Sequence, residues 1–290
     1  MLLPKSLKKG DTVGIVVPSG CYRPENEIQI KNFTDYLKTL GLKIKLAKNF
    51  YLKDKYKVSA GTPQQRADDI NSMFADKHIS AIWCLHGGDS VISIIDLLDY
   101  QIIKNNPKIF IGKSDIDMLS IAINKVTGLV TFHGPDSKLG GNYPELDGDY
   151  TQKWFNKRLF DGSKIIEASD NNWQVIRKGI TNGRLVGCNL STILKLAGTK
   201  YFPDFTDAIY FIETLDSTAR RLLSQLSQLK LLGVLDKLKG IVIGSNARYQ
   251  PGDKNISVEE IVFDISEKYN SPILKINEFG HYQPSAFTGA

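Results

Sequence analysis

Apolar positions in the first half of the chain switch repeatedly between the runs of buried strands and the three-and-four spacing of helices. Residues 11–17 read as a buried strand, stopped by the turn chemistry of Pro18, Ser19 and Gly20. Over 25–40 the residues Ile30, Phe33, Leu37 and Leu40 recur at helical spacing, and Gly41 stands where a helix ends. A short strand over 43–46 comes next. Thr62 then caps a helix with Pro63 in its first position, running to about 74–77. Further strands are predicted over 81–85, 108–112 and 129–132, and helices over 90–98 and 115–126. Strands separated by single helices argue for a mostly parallel sheet covered on both faces.

The rhythm changes over 136–182, where polar and Gly/Asp-rich stretches surround a helix near Trp154. Beyond it, strands are predicted over 183–186, 208–212, 240–243 and 272–276, and helices over 190–196, 217–232 and 258–269. The fold class is therefore α/β in two units: an N-terminal domain over 1–165, a linker over 166–182 and a smaller α/β C-terminal domain over 183–290. No repeat or low-complexity tract interrupts them.

Composition narrows the class further. The chain has 290 residues, 42% of them apolar and 23% charged, the balance of an ordinary globular protein. Its net charge of +6 is spread along the chain with no basic block, so no nucleic-acid partner is expected. Cys21, Cys84 and Cys188 stand far apart, which fits free thiols in a reducing compartment better than disulfides or a zinc site. Neither a secretory leader nor an apolar run of the ~18–20 residues needed to cross a bilayer is recognised, so a cytoplasmic protein without membrane partners is expected.

The candidate chemistry collects at the ends of predicted strands, where parallel sheets open their ligand crevice. Of the four histidines, His86, His133 and His281 fall at such ends, and His78 reads as a surface residue. Ser114 lies in Gly112-Lys113-Ser114-Asp115, between an apolar strand and a helix. A serine on that tight turn projects its hydroxyl from the sheet end, and the next N–H, that of Asp115, points at a developing oxyanion. The same position also suits a plain helix N-cap. Gly87 and Gly88 let backbone approach a ligand closely, or simply make a tight turn. Glu213 ends an apolar strand, where a carboxylate either orients a histidine or faces solvent. No phosphate loop, dinucleotide fingerprint or HExxH cluster is present, so no cofactor and no metal are expected.

Together these segments resemble the serine LD-carboxypeptidase family, which includes muramoyltetrapeptide carboxypeptidases and microcin C immunity peptidases. The resemblance runs through 7–20, Gly87-Gly88, 98–100, 106–115, 127–135, 187–191, 211–213 and 280–281, in the family's order. It implies a flavodoxin-like N-terminal domain carrying Ser114 as nucleophile, with Glu213 and His281 supplied by the second domain. It further implies an oxyanion hole from the N–H groups of Asp115, Gly87 and Gly88. Lys113, His86 and Asn189 are the expected substrate-binding neighbours. Lys113 stands where the family usually has an aromatic residue, and His86 where an arginine or small residue is common. After His281 a longer Pro- and Gly-containing stretch is expected than the chain carries. The implied substrate is a small peptide or a peptidyl nucleotide, and the implied assembly a homodimer.

Overall fold

The computed structural model describes residues 1–134, 139–141, 143–144, 149–162, 173–281 and 288–289. Its N-terminal half alternates β1 (Thr12–Val16), α1 (Glu27–Thr39), β2 (Lys43–Leu46), α2 (Pro63–Ala75), β3 (Ile79–Cys84), α3 (Tyr100–Asn105), β4 (Ile109–Gly112), α4 (Asp117–Thr127) and β5 (Phe132–His133). A small hairpin, β6 (Leu139–Gly141) and β7 (Tyr143–Pro144), and the helix α5 (Asp149–Phe155) follow. The second half holds β8 (Gln174–Arg177), β9 (Arg184–Asn189), α6 (Leu190–Leu194), β10 (Ala208–Leu215), α7 (Ala219–Leu231), β11 (Leu238–Ala247), α8 (Val258–Ile265) and β12 (Ile273–Lys275), then β13 (Thr288–Gly289).

Strands β1 to β5 pair in parallel in the order β2-β1-β3-β4-β5, the flavodoxin-like order expected. The order reverses between β1 and β3, so the crevice beyond their carboxyl ends is the natural ligand site. β13 adds antiparallel to β5, which carries the end of the chain back to the first sheet. The second sheet runs β8-β12-β11-β10-β9, parallel except for β8.

Side chains alternate across a strand, and that alternation divides the core. Val13, Ile15, Trp83 and Ile111 face α1 and α5, where Trp83 meets Phe33 edge-on at 4.8 Å and stacks on Phe155 at 5.7 Å. Val16, Ile82 and Phe110 face α2 to α4, in an apolar cluster that continues without a break into Val186, Leu190 and Ile212 of the second half. The two halves therefore share one core at the junction, with α4 packed on α6 and β9. Capping fixes several helix starts: Thr62 with Gln65, and Ser257 with Glu260, form reciprocal capping boxes.

Some expectations are corrected. The stretch 90–98 forms two 3₁₀ turns, Val91–Ser93 and Ile95–Leu97, and the α-helix of that connection is α3 instead. Asp99 decides this, because its side chain caps Ile102 N–H and starts the helix there. The strand predicted over 129–132 is Phe132–His133, while Leu129 makes an isolated bridge to Leu2. The stretch predicted as linker is partly outside the described residues; its described part contains β8, an edge strand of the second sheet. None of the described helices is long and apolar enough to cross a membrane.

Candidate active site

The turn after β4 is built for close approach. A Cβ on Gly112 would come within 2.4 Å of the Ile116 side chain, so the chain can fold back here only with glycine. Lys113 is extended, and Ser114 then takes φ +62°, the left-handed region that a serine adopts at a cost of about 1–3 kcal/mol. A 3₁₀ turn, Ser114–Ile116, leads straight into α4. The N-caps of these two elements are Lys113 and Ile116, neither with a side-chain capping bond, so the N-cap reading of Ser114 does not hold. Strand, strained serine and helix form a nucleophile-elbow geometry without the second glycine of the G-x-S-x-G pattern.

The loop after β3 is pressed against this turn. A Cβ on Gly87 would lie 2.9 Å from Ser114 Cβ, 3.1 Å from its Oγ and 3.4 Å from Asp115 N. Backbone alone fits there. Gly88, at φ +155°, has the same constraint against Ser19 Oγ and Gly20 N, at 2.5 and 2.9 Å. Gly20 N–H donates to the Gly87 carbonyl at 3.2 Å, tying the loops after β1 and β3 together. The buried Asp115 carboxylate accepts from Ser19 Oγ at 2.5 Å and from Val91 N–H at 3.0 Å, fixing the serine turn to both loops. Arg66, buried on α2, donates to the Pro18 carbonyl at 2.7 Å, to the Ser90 carbonyl and hydroxyl, and to Ser93 Oγ. Sequence reasoning missed Arg66; its one signal was an arginine on the apolar stripe of a helix, beside Ala67 and Ile70.

The second half contributes a carboxylate and an imidazole. Glu213, fully buried near the end of β10, has an oxygen 2.8 Å from His281 Nδ1. The approach depends on Gly280, at φ +103°, where a Cβ would meet Glu213 Cβ at 2.9 Å and Ser245 Oγ at 2.5 Å. Burial by itself would raise the Glu213 carboxyl, but His281, its hydrogen bond, His133 and the Asn189 side chain outweigh it and hold the group below the usual range. Glu213 is therefore an ionised acceptor, and His281 Nδ1–H the donor, which leaves Nε2 as a base.

A second imidazole–carboxylate pair lies at the junction: His133 Nδ1 is 2.9 Å from Asp117 Oδ1, and both side chains are buried. Burial raises the Asp117 carboxyl, with His133 pulling the other way. Burial would lower His133, yet Asp117 and Glu213 together hold it above the ordinary histidine value.

Of the sequence-predicted residues, Gly87, Gly88, Ser114 and Asp115 are brought together at one turn, and Glu213 and His281 at another. Between the two groups lies Asp117, three residues after Ser114: its carboxylate accepts Asn189 N–H at 3.4 Å, and the charge of Glu213 adds to burial in raising it. His86 is half-buried at the end of β3. Lys113 is buried beside the His133 pair, where its charge opposes protonation of that ring. Asn189 is buried too, its side-chain carbonyl capping α6 through Ser191 and Thr192 N–H. Lys195, at the end of α6, reaches Asp89 at 2.8 Å and Asp115 at 3.6 Å, so the second half also touches the serine turn. A cavity of about 1180 Å³ between the N-terminal segment and β9 touches Asp117 and His133, but Ser114, Glu213 and His281 do not line it.

The LD-carboxypeptidase N-terminal domain family matches residues 13–134, and the LD-carboxypeptidase C-terminal domain family matches 182–288. The chain belongs to the LD-carboxypeptidase family. As a member it is a serine-type, carboxypeptidase-like hydrolase. A probable murein peptide carboxypeptidase of Bacillus subtilis is 33% identical over 289 residues, covering 97% of this chain and 87% of that protein. The microcin C7 self-immunity protein MccF of Escherichia coli is 28% identical over 309 residues, covering 98% and 89%. A solved structure of MccF in complex with glutamyl sulfamoyl guanosine superposes with a TM-score of 0.90 at 26% identity, covering 100% of this chain and 93% of that one.

Proposed function

We propose that the protein is a serine carboxypeptidase that hydrolyses an L,D-peptide bond through Ser114, His281 and Glu213, releasing D-alanine from a cell-wall tetrapeptide. In this reading His281 Nε2 takes the Ser114 proton as Oγ attacks the carbonyl carbon, and Glu213 holds the tautomer and stabilises the imidazolium. The tetrahedral oxyanion is received by N–H groups of Asp115 and of the Gly87-Gly88 turn. The imidazolium then protonates the departing D-alanine amine, and water hydrolyses the acyl-enzyme by the reverse proton path. Half-buried His86, next to the glycine pair, is the polar side chain we assign to substrate. Lys113 and Asn189 act from behind the site, through charge and through α6. The family resemblance supports a cytoplasmic homodimer working in peptidoglycan recycling.

The observation that carries the reading is the 2.8 Å Glu213–His281 contact, which completes a base and its orienting acceptor in the order the resemblance implies. The 33% identical murein peptide carboxypeptidase favours the murein substrate. A second reading, a peptidase for peptidyl or aminoacyl nucleotides, is favoured by the likeness to MccF bound to glutamyl sulfamoyl guanosine. The test is release of D-alanine from L-Ala-γ-D-Glu-diaminopimelyl-D-Ala by the wild type and by Ser114→Ala. Serine-dependent release supports the first reading. No release, with serine-dependent cleavage of an aminoacyl nucleotide, supports the second; failure of both substrates overturns the assignment and indicates a binding homologue.

A further inference from the structure

A hydrolase that removes one residue from the end of a peptide has to recognise the carboxylate that marks that end. This carboxylate lies only a few bonds beyond the scissile carbon, so a receptor for it belongs at the rim of the serine turn. Of the cations already placed around that turn, Lys113 is buried, and Arg66 is buried with its hydrogen bonds spent on Pro18, Ser90 and Ser93. Lys195 is different. It stands at the C-cap of α6, in the second half, with its side chain 36% exposed. Its Nζ lies 2.8 Å from Oδ1 of Asp89, the residue after the Gly87-Gly88 pair, and 3.6 Å from Oδ1 of Asp115, the residue after Ser114.

The two carboxylates hold the ammonium unequally. Asp115 is fixed: its side chain is wholly buried, and Oδ2 accepts from Ser19 Oγ and Val91 N–H. Its Oδ1 accepts no hydrogen bond and has the lysine charge beside it. Asp89 is loose: its side chain is 91% exposed, and an ion pair that open to water holds weakly. We propose that Lys195 receives the terminal carboxylate of the substrate, and that Asp89 occupies the same anion position until substrate displaces it. The inference rests on the carboxypeptidase reading and deepens it. Asp115 keeps the ammonium in place during the exchange, so the incoming carboxylate meets a donor that is already oriented. A peptide carbonyl inside a longer chain is neutral and does not replace Asp89, which makes the exchange selective for a chain end.

The test compares cleavage of L-Ala-γ-D-Glu-diaminopimelyl-D-Ala with cleavage of the same peptide carrying a C-terminal amide. Active sites are counted in every variant by covalent labelling of Ser114 with a fluorophosphonate. The wild type is expected to favour the acid, and Lys195→Met to lose roughly tenfold or more of that preference in kcat/KM, through KM more than kcat. Lys195→Arg keeps the charge and most of the preference. Asp89→Asn removes the competing carboxylate and lowers KM for the acid by about two- to fivefold, an effect that disappears when Lys195 is replaced by methionine. A merely structural bridge behaves otherwise: loss of either partner impairs acid and amide alike, and that result overturns the inference while leaving the carboxypeptidase reading standing. Equal use of acid and amide by the wild type does the same. If Lys195→Met does not fold, the exposed Asp89→Asn substitution decides, and an unchanged or higher KM for the acid overturns the inference. Cleavage of neither peptide by the wild type overturns the carboxypeptidase reading and the inference with it.

Discussion

Glu213 and His281 are 68 residues apart in sequence, and a carboxylate oxygen of one lies 2.8 Å from the Nδ1 of the other. Gly280 makes the approach possible, because any side chain there would strike the Glu213 Cβ at 2.9 Å. Gly280→Ala is therefore expected to lower kcat at least tenfold with little change in KM, and to destabilise the fold by about 1–3 kcal/mol through strain at positive φ. Steady-state kinetics alongside thermal unfolding checks both halves; a rise in KM alone would place the glycine in substrate binding instead.

Glu213→Gln keeps the shape and removes the charge. A loss in kcat of roughly 10²- to 10⁴-fold is expected, since the amide no longer selects the reactive tautomer. The folded carboxyl titrates below its ordinary value of 4.5, so its contribution to stability is present above that value and disappears as pH falls through the folded pKa. Unfolding midpoints measured from pH 7 downward should therefore decline more steeply below 4.5 in the wild type than in Glu213→Gln. Parallel declines would show that the carboxylate is not the held-down acceptor described above.

Ser114 pays for its conformation. Its φ of +62° suits glycine, so Ser114→Gly should abolish turnover while raising stability by up to about 1 kcal/mol, and Ser114→Ala should abolish it without that gain. Calorimetry of the two variants tests this: equal midpoints would mean that the serine turn holds no strain.

Arg66 touches neither the serine nor the histidine, but it holds the loops after β1 and β3 by four hydrogen bonds to Pro18, Ser90 and Ser93. Arg66→Ala leaves buried acceptors unpaired, so a destabilisation of about 2–3 kcal/mol is expected, with a fall in kcat as the Gly87 loop loosens. Hydrogen exchange confined to the loops after β1 and β3 would confirm the clamp, and exchange spread evenly over the fold would contradict it.

Much of this arrangement was legible in the sequence because the informative residues act locally. Short continuous apolar runs such as 81–85 and 108–112 read as buried strands, and glycine before the serine, before the histidine and in the Gly87-Gly88 pair stood at the turns where backbones crowd. Ser114 follows the end of β4 as read, whereas β10 runs on past Glu213 to Leu215, and His281 lies in the loop after β12. Contacts that depend on tertiary structure left no such mark. Arg66 stands on the apolar stripe of α2, but the two loops it holds cannot be read from that position. His133 was noticeable as a strand-end histidine, but Asp117 was not singled out, and only the packing of β5 on α4 joins them. Edge strand β8 was unreadable for a related reason: Gln174–Arg177 is paired on one side only and half exposed, so it carries no clear alternation.

The most direct test of the central claim is to map the fluorophosphonate adduct by mass spectrometry in the wild type and in His281→Ala. One stoichiometric adduct on Ser114 is expected, forming roughly a hundredfold or more slowly without the imidazole. An adduct on another residue, or equal rates in the two proteins, would contradict it.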